Sequence, residues 1–299
     1  MIKISILNPN LNKRLSKKIL FPDFLEEPLI PSSSKNLNKL ITPKGKKERA
    51  VSRGITLVWG SNGAGKTSFC LNMAFNANKI GLKVLYIDHE GGIDTNRLEL
   101  ISKEFKIDPQ KIITKNNGKD LQIENITIKF IPYLDEMKEY LLSNLYKMYK
   151  SNNYPKLLII DNIASHYIAL ANQDIKDSAY GRETKKLVVL SSQIKEWAFD
   201  WGMAVIFVTY PISELGRGQV LLETYGRKID FKNLQQGITP DITDRALWVG
   251  GVRLGFEAKI HLQFSKLGLN KRKVTLFKHR SKPLGESTEI KITDYGIGD

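Results

Sequence analysis

Short, nearly unbroken apolar runs alternate along the middle of this chain with segments whose apolar residues recur every three or four positions. The unbroken runs are too short for helices and rich in β-branched residues, so they predict buried strands. They are GITLVWG (54–60), LKVLYIDHE (82–90), ITIKFIPY (126–133), KLLIID (156–161) and MAVIFVTY (203–210). Between them lie amphipathic helices: GKTSFCLNMAFNANKIG (65–81), closed by Gly81, then a helix with Asp94 as N-cap running through RLELISKEF. LDEMKEYLLSNLYKMYK (134–150) and residues 184–200 follow the same spacing. Apolar strands separated by helices mean a parallel sheet covered on both faces. Beyond residue 245 the helical spacing stops, and RALWVGG, KIHLQF, RKVTLFKHR and STEIKIT read as successive strands joined by short turns. The expected fold is α/β, with a mainly parallel central sheet flanked by helices and extended by C-terminal antiparallel strands. Residues 1–27 read as a basic tail and 28–299 as one core, whose first stretch holds loops and one short helix. Pro211–Asp244 has no strong period, and so long an irregular connection inside a domain is usually functional or disordered.

Composition narrows the class. A hydrophobic fraction of 41% over 299 residues supports a sizeable core, and 26% charged is ordinary for a water-soluble chain. No stretch has the unbroken apolar length of a membrane span, and MIKISILNPNLNKRLSKK lacks the apolar centre of a secretory signal. The single cysteine, Cys70, excludes an internal disulfide framework and fits a reducing, cytoplasmic compartment. No His/Cys cluster has metal-ligand spacing and there is no HExxH, so zinc chemistry is not expected. Net charge is +15, and it is concentrated. Residues 1–53 carry twelve Lys and Arg against four Asp and Glu, and Lys259–Gly285 carries eight against none. Two basic segments flanking a neutral middle point to a polyanion, with nucleic acid as the first candidate and a nucleoid-associated location as its consequence. Solvated lysines spread through a lysine-rich proteome are the plain alternative.

One motif carries chemistry by itself. GSNGAGKT, from Gly60 through Ser61, Asn62, Gly63, Ala64, Gly65 and Lys66 to Thr67, fits G-x-x-x-x-G-K-[ST] and sits between a predicted strand and a predicted helix. Glycines allow backbone N–H groups and the helix N-terminus to wrap a phosphate. Lys66 supplies charge to the β- and γ-phosphates, the Thr67 hydroxyl holds Mg²⁺, and Ser68 lies next in the cradle. ATP with Mg²⁺ is the expected cofactor pair. A metal-side carboxylate belongs at the end of a neighbouring strand, where KLLIID ends in Asp161, though a strand-terminal Asp is also a common helix N-cap. YIDHEGG offers Asp88 and Glu90 to activate water; Glu90, past the strand end, can reach a γ-phosphate, while His89 points to the other face.

The order of these pieces resembles the RecA-like recombinases of the RadA and RadB type. A P-loop is followed by VLYIDHEGGIDTNRL, LLIIDNIASHY and MAVIFVTYP, and the ending KVTLFKHRSKPLGESTEIKITDYGI looks most like the archaeal RadB branch, which lacks an N-terminal helical domain. The likeness covers roughly residues 28–297. It implies a RecA-like ATPase core, ATP-dependent DNA recombination and repair, binding to single-stranded or branched DNA, self-association or pairing with a related subunit, and further repair partners. By position, it implies that Glu90 activates water and that Arg97 stacks on adenine. It also implies that Lys278 and Arg280, in KHRS, touch the γ-phosphate of a neighbouring subunit in trans. On strand alternation those two cations share one face and His279 takes the other. A local carboxylate meeting the same strand end is the plain alternative.

The pattern also breaks. Recombinases carry a glutamine after the strand equivalent to VIFVT, where it senses the γ-phosphate; here stand Tyr210 and Pro211. The following loop, Ile212–Thr243, sets Arg217, Arg227, Lys228 and Lys232 against Glu214, Glu223, Asp230 and Asp241, a poor funnel for single-stranded DNA. An earlier loop, about Ala169 to Arg182, is similarly mixed. Candidate DNA contacts are therefore Arg182, Arg217, Arg227, Lys271, Arg272 and Lys273. Slow hydrolysis, without unaided strand exchange, is expected. Phe21 or Phe24 in ILFPDFLEE could insert into a neighbouring subunit, or pack on the chain's own core. A KaiC-like oligomeric ATPase that signals without nucleic acid is the competing reading, and an ATP-bound structural subunit recruiting repair proteins is a third.

Overall fold

The computed structural model describes residues 27–116, 118–165, 177–211, 248 and 251–299, with 177–181 and 251–253 as backbone only. Phe21, Phe24, Arg217, Arg227 and most of both candidate DNA loops lie outside these residues. Eleven strands among the described residues form one sheet. They are β1 (Gly54–Gly60), β2 (Val84–Asp88), β3 (Ile112–Lys115), β4 (Asp120–Ile123), β5 (Ile126–Phe130), β6 (Leu157–Asp161), β7 (Ala204–Thr209), β8 (Ile260–Lys266), β9 (Lys271–Lys278), β10 (Ser287–Thr293) and β11 (Gly296–Gly298). Their order is β11-β10-β9-β8-β1-β7-β6-β2-β5-β4-β3. The six strands from β8 to β5 run parallel, and antiparallel hairpins extend both edges.

Helices cover both faces: α1 (Lys35–Ile41), α2 (Lys66–Lys79), α3 (Thr95–Glu104), α4, α5 (Asp177–Asp200) and α6 (Gly251–Glu257). The helix α4 runs in three continuous pieces, Leu134–Tyr140, a π-helical turn Leu141–Leu145, and Tyr146–Lys150. Strand alternation sorts the core into two layers. Val58, Ile159 and Ile206 pack with Phe69 and Phe75 of α2 on one face. Leu57 and Trp59 pack with Leu141, Ile194 and Leu254 on the other. The central strands are buried along their whole length, which is why they read as unbroken apolar runs.

Three features depart from the sequence expectation. The β3–β4 hairpin was not anticipated, because its four-residue strands lie at the sheet edge and β3 is largely exposed, so no apolar run marks it. RALWVGG forms no strand among its described residues. Trp248 makes one isolated bridge to Pro211, and α6 begins at Gly251. Two glycines in GVRLGFE hide this helix from a propensity reading. Gly255 earns its place by close approach, since a Cβ there would lie 2.4 Å from the Trp248 ring. Finally, β8 is not antiparallel to its inner neighbour. It runs parallel to β1, pairing Gly60 with Phe264, and the antiparallel part starts only with β9.

Candidate nucleotide site

Parallel strands put their C-terminal ends on one edge of the sheet, and four of them deliver the chemistry there. β1 ends at Gly60 and α2 begins at Lys66, so residues 61–65 form the turn between them. Gly65 has φ +94° and ψ 15°, a left-handed conformation, and a Cβ on it would lie 2.6 Å from the Ile292 side chain. Only glycine meets both conditions. The first N–H groups of α2, unpaired within the helix, face this turn. Asn62 and Gly63 are exposed, whereas Ala64, Lys66 and Ser68 are buried. The Lys66 ammonium donates to the carbonyls of Gly60 (2.7 Å) and Ser61 (2.9 Å), so its charge stays over the loop.

At the end of β6, Asp161 accepts a 2.6 Å hydrogen bond from the Tyr86 hydroxyl and another from Thr67. Burial pushes its carboxyl up to about 6, and those two hydrogen bonds act in the opposite direction. A carboxylate this buried, bonded to the P-loop hydroxyl, fits a divalent cation held mostly by phosphate and water oxygens. Among the described residues no group of three or more His, Cys, Asp or Glu could hold a metal independently.

The end of β2 divides labour between its two carboxylates. Asp88 accepts from the N–H groups of Glu90 (3.1 Å), Gly91 (2.8 Å) and Ile93 (3.1 Å), so it builds the turn. Glu90 is exposed and projects beyond it. His89 is buried with Nδ1 bonded to the Ile131 carbonyl, and burial lowers its pKa; its role is structural. The Tyr210 hydroxyl, just past β7, reaches both Glu90 oxygens at 2.7 and 2.9 Å. Lys66 Nζ lies 4.6 Å from the centre of the Tyr210 ring. Burial raises the Tyr210 phenol's pKa first, and the bond to Glu90 raises it further. Arg97, in the first turn of α3 behind its N-cap Asp94, donates to Ser68 Oγ at 2.5 Å and so lies beside the P-loop helix.

A family model, Rad51, matches residues 29–228. The chain belongs to the Rad51 family. Among curated relatives, DNA repair and recombination protein RadB of Methanosphaera stadtmanae is 25% identical over 279 residues, covering 92% of this chain and 97% of the relative. The RadB proteins of Pyrococcus abyssi and Pyrococcus furiosus are 28% and 27% identical, each over 83% of this chain and covering 87% and 88% of their own. This is a RadB-like recombinase paralogue with a RecA-like core, and none of these matches favours a KaiC-like reading.

For a Rad51-family chain the remaining candidate residues fall into three places, the start of β9, α5 and the far end of β9. Lys271, Arg272 and Lys273 open β9 beside the P-loop, because β9 runs back against β8. Lys271 is exposed and Lys273 half-buried, but Arg272 is buried. Its guanidinium donates to the carbonyls of Gly268 (3.0 Å), Leu269 (3.0 Å) and Lys271 (2.9 Å), and to Gly63 at 3.3 Å. Arg272 is therefore a brace between hairpin and P-loop and is dropped as a DNA contact. Arg182 is exposed on α5.

Lys278 and Arg280 lie at the opposite end of β9. Lys278 pairs with His261, which pairs with Leu57, three residues back from Gly60. A bulge there leaves Phe277 unpaired, so strict alternation does not reach 278–280, and the strand ends at Lys278. Lys278 is half-buried and donates to the Gly255 (2.9 Å) and Phe256 (3.4 Å) carbonyls at the end of α6. Arg280 is exposed and makes no hydrogen bond or ion pair among the described residues. Sequence reasoning singled out Tyr210 as a departure but missed its partner, because Glu90 lies 120 residues away.

Proposed function

We propose that this RadB-like paralogue binds ATP and Mg²⁺ at the P-loop, hydrolyses ATP slowly, binds DNA and assists recombination and repair as part of an assembly. The observation that carries it is the convergence of Lys66, Thr67, Asp161 and Glu90 at one sheet edge, in a chain of the Rad51 family. Lys66 and the α2 N-terminus bind the phosphates, and Arg97 borders the base. Thr67 and Asp161 would hold Mg²⁺, which would supply charge neutralisation to the phosphates. Glu90 orients a water molecule and takes its proton as the water oxygen bonds to the γ-phosphorus. The bond from that phosphorus to the β–γ bridging oxygen breaks, and its electron pair leaves with ADP.

Arg280, with Lys278 if it exchanges its α6 carbonyls for phosphate, completes the pocket of a neighbouring copy. DNA contacts come from the basic face including Lys271 and Lys273. No helix among the described residues is long and apolar enough to cross a membrane.

Single-turnover hydrolysis with excess protein tests the assignment of Glu90. Glu90→Gln should lower the rate at least 100-fold while ATP still binds, and an undiminished rate removes Glu90 from its role. DNA affinity measured against salt should fall steeply, and added single-stranded DNA should raise the ATPase rate little. Salt-insensitive or absent DNA binding would overturn the DNA-binding part of this proposal.

A further inference from the structure

We infer that Tyr210 is a latch on the water-activating carboxylate: its hydroxyl ties down Glu90 and keeps ATP turnover slow. The inference rests on the proposal that Glu90 is the base, and goes beyond it by assigning the restraint to a particular side chain. Three contacts meet at this residue. The hydroxyl is within hydrogen-bond distance of both Glu90 oxygens, at 2.7 and 2.9 Å. Its ring faces Lys66, whose ammonium lies 4.6 Å from the ring centre. Its backbone adjoins Pro211, which has no N–H and is bridged to Trp248. Tyr210 is 8% exposed, so its ring has little freedom to swing away.

The chemistry sets the sign. A phenol O–H shared by both oxygens of a carboxylate anchors it to one rotamer and occupies the lone pairs that would take a proton. Exposed Glu90 has few other fixed partners among the described residues, its neighbour Asp88 being occupied with the turn. To take a proton from water at the γ-phosphate, Glu90 must share or leave the hydroxyl. Lys66 connects the latch to the nucleotide. When its ammonium moves from the Gly60 and Ser61 carbonyls to a γ-phosphate, the cation over the Tyr210 ring is withdrawn, and the phenol keeps its hydrogen bonds with Glu90 and Asn162. A neighbouring subunit that repositions Tyr210 would release the base.

Removing the hydroxyl alone tests this. With Mg·ATP, Tyr210→Phe should raise kcat about 5- to 10-fold and leave KM within twofold. That split is expected because the bond restrains the base and not the bound nucleotide. A merely structural tyrosine would lower kcat on truncation. Thermal unfolding of wild type, Tyr210→Phe, Glu90→Ala and the double variant supplies a reading independent of turnover. The second change should cost clearly less Tm once the first is present. Additive Tm shifts overturn the contact. Non-additive shifts with kcat unchanged, lowered or still undetectable in Tyr210→Phe overturn the latch. Full turnover by Glu90→Gln overturns instead the assignment of the base, so the two failures are distinct.

Discussion

A buried carboxylate beside a P-loop carries its own pH signature. Burial raises Asp161 to about 6, above its unfolded value near 4. A group raised on folding contributes stability that is fully present below the unfolded pKa and lost as pH rises through the folded one. For Asp161 that window runs from about pH 4 to about pH 6, and its full size is about 3 kcal/mol. Above the window the anion is retained at a cost that a bound cation would relieve. Asp161→Asn keeps the shape and an acceptor for Tyr86 without the charge. Its Tm in buffer alone should exceed wild type by several degrees at pH 8, and the gap should close by pH 4. Adding Mg·ATP should stabilise wild type at pH 8 and do little for the variant. Differential scanning calorimetry at the two pH values reads both effects; a variant less stable than wild type at pH 8 means that hydrogen bonding outweighs the burial of charge. At this scale, sequence supplied Lys66, Thr67 and Asp161, because their spacing within one loop or at one strand end is local. The tie from Glu90 to Tyr210 was illegible, since it depends on two distant strands ending side by side.

Elements were legible where burial writes a period into the chain. β1, β2, β5, β6 and β7 sit between two helical layers, and all but β5, which leads into the β3–β4 hairpin, are buried throughout as a result. The β3–β4 hairpin and α6 left no such trace, the first for lack of an apolar face and the second because glycine was selected for closeness rather than helicity. The β8–β9 hairpin shows the same limit in side-chain roles. KRK looks like a polyanion contact, yet pairing with β8 turns Arg272 inward while Lys271 and Lys273 face outward. Arg272→Ala removes donors from four carbonyls, three of them in its own turn. It should lower unfolding free energy by about 1–3 kcal/mol and weaken ATP binding through the loosened P-loop, while leaving the salt slope of DNA binding unchanged. Lys271→Ala should do the reverse, lowering that slope by about one with little change in stability. A smaller salt slope for Arg272→Ala, measured by fluorescence anisotropy, would restore it to the DNA face.

Across the whole molecule, sheet register decides whether Arg280 can serve its own active site. β1 and β8 advance together toward the P-loop, and β9 returns from it. Lys278 therefore lies level with Leu57, about 10 Å behind Gly60 at roughly 3.3 Å per residue, and two strands to the side. Arg280 continues away from the loop. Any triphosphate it touches must belong to another copy, so the contact is heterologous, joining unlike surfaces of successive subunits. Such a site can be rebuilt from two broken halves. Lys66→Ala loses its own phosphate cradle but keeps its cation; Arg280→Ala keeps the cradle and loses the cation. Each alone should hydrolyse ATP poorly, and neither defect is repaired by more of the same chain. Mixed in equal amounts, half the cradles and half the cations are intact, so random assembly restores about a quarter of wild-type turnover. Light scattering on the same samples shows whether ATP brings the subunits together. A mixture that assembles yet hydrolyses no faster than the sum of its parts places Arg280 on DNA or another partner rather than on the γ-phosphate.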